Sequence, residues 1–195
     1  LISPEWEDRY YSYNASWSPG EEMASMRDGS GDEWFLLFAG YGAALKGYAH
    51  ELPNAHSEAF SALIRQGMPK EFASFLNEPA FGMERATFCL WRRVTDEAWS
   101  AVHSEEGSLE NGEDGSVQLL SILDGTPQTY LEWAEEYYEQ EVDPGAVQAI
   151  YAHTPLNKDL VRRLNPDLSF SEAVGFAKEI GYPVQKTWIG GWFSR

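Results

Sequence analysis

Five bulky apolar residues in a row, Trp34-Phe35-Leu36-Leu37-Phe38, lie between two turn-forming stretches, Asp28-Gly29-Ser30-Gly31-Asp32 and Gly40-Tyr41-Gly42. The run is too short for a buried helix, and its boundaries are the residues that reverse a chain, so it reads as a strand. Successive strand side chains point to opposite faces, and here both faces are apolar. Such a strand must be covered on both sides, which places it centrally in a sheet. Ala43 to Tyr48 supplies the returning arm of a hairpin across the glycine turn.

The rest of the chain is read around that centre. Residues 9–17 are aromatic with loose alternation and form a strand that Pro19-Gly20 ends. Glu21 to Arg27 reads either as a short helix with acids in its first turn or as a second extended piece. Residues 85–94 and 116–123 read as further strands. Helical spacing appears at 56–66, with Phe60, Leu63 and Ile64 on one side, and again after Pro69, with Phe72, Phe75 and Leu76 inward. Thr126-Pro127 looks like an N-cap followed by proline at the first helical position, opening a helix over 127–141. Its apolar stripe is Tyr130, Trp133, Ala134 and Tyr137, and Asp143-Pro144-Gly145 stops it. Two short helices follow at 156–164 and 171–180, the second closed by Gly181 and Pro183. With no internal repeat and no clean linker in 195 residues, the expectation is a single α+β domain over 1–195. It would hold a mainly antiparallel sheet with several flanking short helices.

Charge is the second constraint. Acids number 31 against 14 lysines and arginines, a formal net charge of −17. Residues 94–157 hold 14 of those acids and no lysine or arginine, whereas residues 158–195 carry 4 acids and 6 bases. Nucleic-acid binding needs positive potential to displace counterions from phosphate, so that class is excluded, and an anionic membrane surface is disfavoured for the same reason. A basic protein partner suits the acidic block. The expected contacts are Glu132, Glu135, Glu136 and Glu139 on the 127–141 helix, with Glu110, Glu113 and Asp114 on the glycine-rich loop 104–115. The lone cysteine, Cys89, sits in an apolar strand and reads as a buried, inert thiol in a reducing, cytoplasmic setting. No stretch approaches the roughly 20 apolar residues that cross a bilayer, and Leu1 to Trp6 does not read as a signal peptide.

Tests for catalytic chemistry return little. His50-Glu51-Leu52-Pro53-Asn54 opens like a zinc-protease helix, but Asn54 replaces the second histidine and Pro53 breaks the helix. Asp28, Ser30 and Asp32 alternate as in a calcium loop, yet Glu33 stands where glycine is wanted and Ala39 where the bidentate glutamate belongs. Gly29-Ser30-Gly31 is not a nucleophile elbow, and neither a phosphate loop nor a dinucleotide fingerprint is present. No metal, cofactor or catalytic residue is therefore expected. The alternative from another class is a small hydrolase or other enzyme with a carboxylate-based site near Asp28, Asp32 and His50. A third reading is an oligomer subunit using Trp188, Trp192 and Phe193.

The stretch Trp17-Ser18-Pro19-Gly20-Glu21-Glu22-Met23-Ala24-Ser25-Met26-Arg27-Asp28-Gly29-Ser30-Gly31-Asp32-Glu33-Trp34 resembles the signature of a family of uncharacterised bacterial proteins. Further echoes are Gly47-Tyr48-Ala49-His50-Glu51, Thr87-Phe88-Cys89-Leu90-Trp91-Arg92-Arg93, Ile122-Leu123-Asp124-Gly125 and Val161-Arg162-Arg163-Leu164-Asn165-Pro166. The resemblance implies a bacterial source and supplies no active site. In fold class and charge the chain is also similar to immunity proteins of bacterial toxin systems, whose acidic faces block basic toxins. That similarity implies a cytosolic, non-enzymatic partner for a basic toxin domain.

Overall fold

The computed structural model describes residues 1–5, 8–52, 57–102 and 114–185. The α+β class expected from the sequence is the one adopted, with an antiparallel six-stranded sheet and seven α-helices among the described residues. Contacts cluster into two compact units, a sheet unit over residues 5–124 and a helical unit formed by residues 1–4 with 125–195.

The sheet is a meander in which every strand pairs with its sequence neighbours: β1 (Tyr11–Ser18), β2 (Glu21–Arg27), β3 (Glu33–Ala39), β4 (Gly42–Tyr48), β5 (Phe88–Arg93) and β6 (Ser100–Ala101). The apolar run at 34–38 lies inside β3, paired on both edges as its two-faced hydrophobicity requires. The open choice at Glu21–Arg27 resolves as a strand, because Met23 and Ser25 face one side while Ala24 and Met26 face the other.

Each face has its own cover. Phe35, Leu37, Ala44, Cys89 and Trp91 meet Phe60 and Ile64 of α1 (Glu58–Gly67) and Phe75 of α2 (Ala73–Asn77). Phe72 and Phe81, from the single turns flanking α2, complete that cluster. Burying one such aromatic side chain contributes about 2–3 kcal/mol. On the opposite face Met26, Trp34, Leu45 and Phe88 pack against Leu119 of α3 (Ser116–Leu120), whose carbonyl accepts the Trp34 indole N–H at 3.2 Å. Gly47 has to be glycine here, since a Cβ would come within 1.9 Å of the Phe88 ring.

One charge is sunk into this core. Lys46 is 0% exposed, and its ammonium lies 2.9 Å from Glu33 Oε1 and 5.7 Å from the Phe35 ring centroid. Arg85 Nη2 approaches the same carboxylate oxygen at 3.8 Å. Burial pushes the Lys46 ammonium below its ordinary value, and the Glu33 carboxylate opposes that push.

The helical unit contains α4 (Pro127–Tyr138), α5 (Pro144–Tyr151), α6 (Lys158–Leu164) and α7 (Phe170–Glu179). Ala146, Leu156, Leu160, Val161, Ala173 and Ala177 form one cluster, and Leu131, Ala134, Val142 and Val147 another. Asn157 caps α6, and Ser169 with Glu172 forms a reciprocal capping box on α7. The Asn165 amide donates to the carbonyls of Leu1 and Ile2, tying the first residues to this unit.

Several local expectations need correction. Residues 116–123 are not a strand: α3 and a tight turn over Ser121–Asp124 occupy them. Asp143-Pro144-Gly145 ends nothing helical but starts α5, with Asp143 accepting from the Ala146 N–H at 2.9 Å. Leu63 does not face inward with Phe60 and Ile64, being 40% exposed. On α4 the inward positions are Leu131 and Ala134, while Tyr137 is 41% exposed. That helix also ends at Tyr138 rather than reaching 141, because Glu139 turns left-handed at φ +50°.

Candidate functional site

The face with the strongest chemical character belongs to α4. Proline at its first position and Thr126 at its N-cap fix the start, where the Thr126 and Thr129 hydroxyls meet at 2.6 Å. Leu131 and Ala134 then bind the helix to Val142 and Val147 of its own unit. That leaves Glu132, Glu135 and Glu136 exposed on the helix, with Glu139 exposed at its C-cap. Glu141, which the sequence reading passed over, adds an exposed carboxylate two residues on.

Two of these carboxylates have neutral partners. Glu132 accepts from the Gln128 amide at 2.8 Å, and Glu135 accepts the Val142 backbone N–H at 3.1 Å. Among the described residues none of the five pairs with a lysine, arginine or histidine. Asp143 behaves differently. Arg163 of α6 grips it with two hydrogen bonds of 2.8 Å, which, helped by the Ala146 N–H, holds its carboxyl well below the usual range. The acids of α4 and the turn after it therefore divide into one neutralised carboxylate, Asp143, and five exposed ones that pair with no base among the described residues.

Aromatic rings lie among those carboxylates. Trp133 and Tyr137, one helical turn apart, stack at 5.2 Å and 13°, and Tyr138 stands edge-on to both. Tyr130 continues the series at 5.5 Å from Trp133, and burial pushes its phenol well above the ordinary value. Flat rings beside unpaired carboxylates can receive cationic side chains by ion pairing and by cation–π contact together.

The remaining members of the expected acidic surface are not gathered here. Glu110 and Glu113 lie outside the described residues. Asp114 belongs to the sheet unit and is not solvent-facing: it is 6% exposed and accepts the Ser116 N–H at 2.9 Å at the start of α3. Its position is a correction, with a simple cause. A carboxylate two residues before a helix end is drawn in to satisfy a backbone donor that has no helical partner.

Asp28, Asp32 and His50 do meet, at the end of the sheet where Glu33 pairs with Tyr48. Asp32 Oδ1 accepts the His50 backbone N–H at 2.9 Å and lies 2.7 Å from Nδ1 of the ring. The hydrogen bond to Asp32 raises the imidazole above its ordinary 6.5. Asp28 is spent on its own turn: Oδ1 accepts from the N–H groups of Ser30, Gly31 and Asp32 at 2.8–2.9 Å, and Oδ2 accepts from the Ser30 hydroxyl. Burial pulls that carboxyl upward, and these donors outweigh it, leaving it below the ordinary value. A carboxylate so saturated has little left to offer calcium. Among the described residues no group of three histidine, cysteine or acidic side chains is arranged to hold a metal. Cys89 is buried and free, and burial drives its thiol far above the ordinary value, as an inert core thiol requires. The aromatic residues Trp188, Trp192 and Phe193 lie outside the described residues.

The molecule is thus an α+β protein with a six-stranded antiparallel meander and an acidic, aromatic helix surface. No protein-family model, curated protein or solved structure matches the chain. No described helix is long and apolar enough to cross a membrane.

Proposed function

We propose that this chain is a non-enzymatic binding protein that holds a basic protein partner, a toxin domain, against the α4 face in the manner of an immunity protein of the bacterial cytosol. One observation carries the reading: Glu132, Glu135, Glu136 and Glu139 are exposed, unpaired with any base among the described residues, and interleaved with stacked aromatic rings. Unpaired carboxylates of one sign steer a cationic partner over a Debye length, about 10 Å at moderate salt. Tyr137 then offers an amphipathic anchor of the kind that dominates binding energy.

The test is Glu132→Lys, Glu136→Lys and Glu139→Lys together, sparing Glu135 because it serves the Val142 N–H. Association with a basic toxin domain encoded beside the gene would be followed by stopped flow at low and high salt. The triple variant should associate at least about tenfold more slowly at low salt and lose most of its salt dependence. An unchanged rate and slope would remove the reading.

The contact of Asp32 with His50 favours a second reading, a small hydrolase with a carboxylate-based site near Asp28, Asp32 and His50. It is the weaker of the two. A carboxylate orients the ring as a catalytic acid does, but no hydroxyl or thiol among the described residues is bonded to the far ring nitrogen, and Asp28 is occupied by its own turn.

A further inference from the structure

The sheet unit holds a second feature that stands independently of the α4 reading. Where β1 turns into β2, a recess of about 250 Å³ opens between the sheet corner and the segment around α2. Its walls include Trp17 near the end of β1, Glu21 at the start of β2, Ser74 in α2, and Glu78 and Phe81 just beyond. We propose that this recess is a binding pocket for a single organic cation, a guanidinium or alkylammonium group.

Charge comes first. Two carboxylates line the recess, and among the described residues no lysine, arginine or histidine does. Among the described residues neither Glu21 nor Glu78 pairs with a basic side chain. Both carboxylates are held in place by neutral donors. Glu21 Oε1 accepts from Ser74 Oγ at 2.7 Å and from Tyr41 Oη at 3.3 Å, and those two hydroxyls lie 2.8 Å apart. Glu78 Oε1 accepts from the Ala80 N–H at 3.0 Å. In each case one oxygen positions the group and the other is left for a ligand, which is how a preorganised acceptor is built. The Tyr41 phenol is raised by burial and by the negative charge of Glu21, as expected beside an ionised carboxylate.

The aromatic wall narrows the ligand class. Trp17 is half-buried and stacked on Phe81 at 5.9 Å and 19°, and Phe81 packs in turn on Phe35 at 5.1 Å. An indole fixed this firmly forms part of the wall beside the two carboxylates without further ordering cost. A hard metal ion takes an all-oxygen shell, to which Trp17, Leu37 and Phe81 contribute no ligand, whereas an organic cation has apolar carbon to set against them. The volume lies just below the range of drug-sized pockets, which suits one head group and a short stem.

Binding is measured by calorimetry on the full chain with methylguanidinium, using methylurea as the neutral shape-matched control. The site is located by the Trp17 indole N–H resonance, assigned among the 8 tryptophans with Trp17→Phe. The expected result is saturable binding of methylguanidinium that moves that resonance, with no binding of methylurea. Glu21→Gln and Glu78→Gln should each weaken it about tenfold, the cost of losing a charge-assisted contact. A glutamine oxygen still accepts from Ser74 or Ala80, so both variants keep the fold, which circular dichroism checks. An arginine-containing tetrapeptide separates the sources: tighter binding than methylguanidinium points to a polypeptide side chain, and equal binding to a free small cation. Absence of saturable binding, equal binding of methylurea, or full affinity in the double glutamine variant would each overturn the proposal.

Discussion

Asp32 spends one oxygen on two donors of the same residue, the backbone and the ring of His50. Because the contact favours the imidazolium, the folded-state pKa of His50 lies above its ordinary 6.5. The sign follows from linkage: the stabilisation is fully present below that ordinary value and is lost as pH rises through the raised one. Asp32→Asn leaves an oxygen for the backbone N–H but removes the charge. The His50 midpoint, followed by NMR, should fall towards 6.5, and the melting-temperature gap from wild type should shrink between about pH 5.5 and about pH 8.5. An unmoved midpoint would show that the charge of Asp32 is not what holds the ring protonated. This trio was legible in the sequence because a hairpin of known turn length brings residues 32 and 50 to the same end of the sheet. The saturation of Asp28 was not legible, since nothing in residue spacing reveals how many backbone donors a turn will aim at one carboxylate.

Between strands β4 and β5 the close approach is set by Gly47, which lies opposite Phe88 in the register. The benzyl ring fills the space that any side chain at 47 would need. Gly47→Ala should cost about 1–3 kcal/mol or more through overpacking. Adding Phe88→Leu, which takes the clashing ring atoms away, should recover part of the loss in a denaturant-unfolding cycle; strict additivity of the two changes would contradict the account. Elements of this kind were readable where one signal dominated: the two-faced apolar run gave β3, and Gly181 with Pro183 marked the end of α7. Reading failed where a signal had two meanings. Proline after aspartate can end a helix or begin one, and Ala146, Val147 and Ile150 at helical spacing were the clue that it begins α5. Ser116 to Leu123 fits both periods, and its place is fixed by tertiary contact: Leu119 packs on the sheet face and its carbonyl accepts from the Trp34 indole.

At the level of the whole chain, the basic-free block of residues 94–157 divides between the two units, with eight of its 14 acids in the sheet unit and six in the helical unit. Only the glutamates of α4 and the turn after it form a continuous run of described, exposed carboxylates. With 31 acids against 14 bases, self-repulsion outweighs attraction over the molecule, so salt should stabilise it. Raising sodium chloride from about 10 mM to about 150 mM, which shortens the screening length from about 30 Å to about 8 Å, should raise the melting temperature by a few degrees. A melting temperature that stays flat or falls would mean that local ion pairs such as Arg163 with Asp143 dominate instead. The ammonium of Lys46 adds a different kind of safeguard. In a meander whose strands are apolar on both faces, hydrophobicity alone would tolerate a slip of one residue between β3 and β4. Such a slip would turn Lys46 to the other face, among Met26 and Trp34, and strand its charge far from Glu33. A single buried cation thereby acts as a proofreading mark: the mispaired sheet is rejected when its faces are covered and the desolvated charge finds no carboxylate.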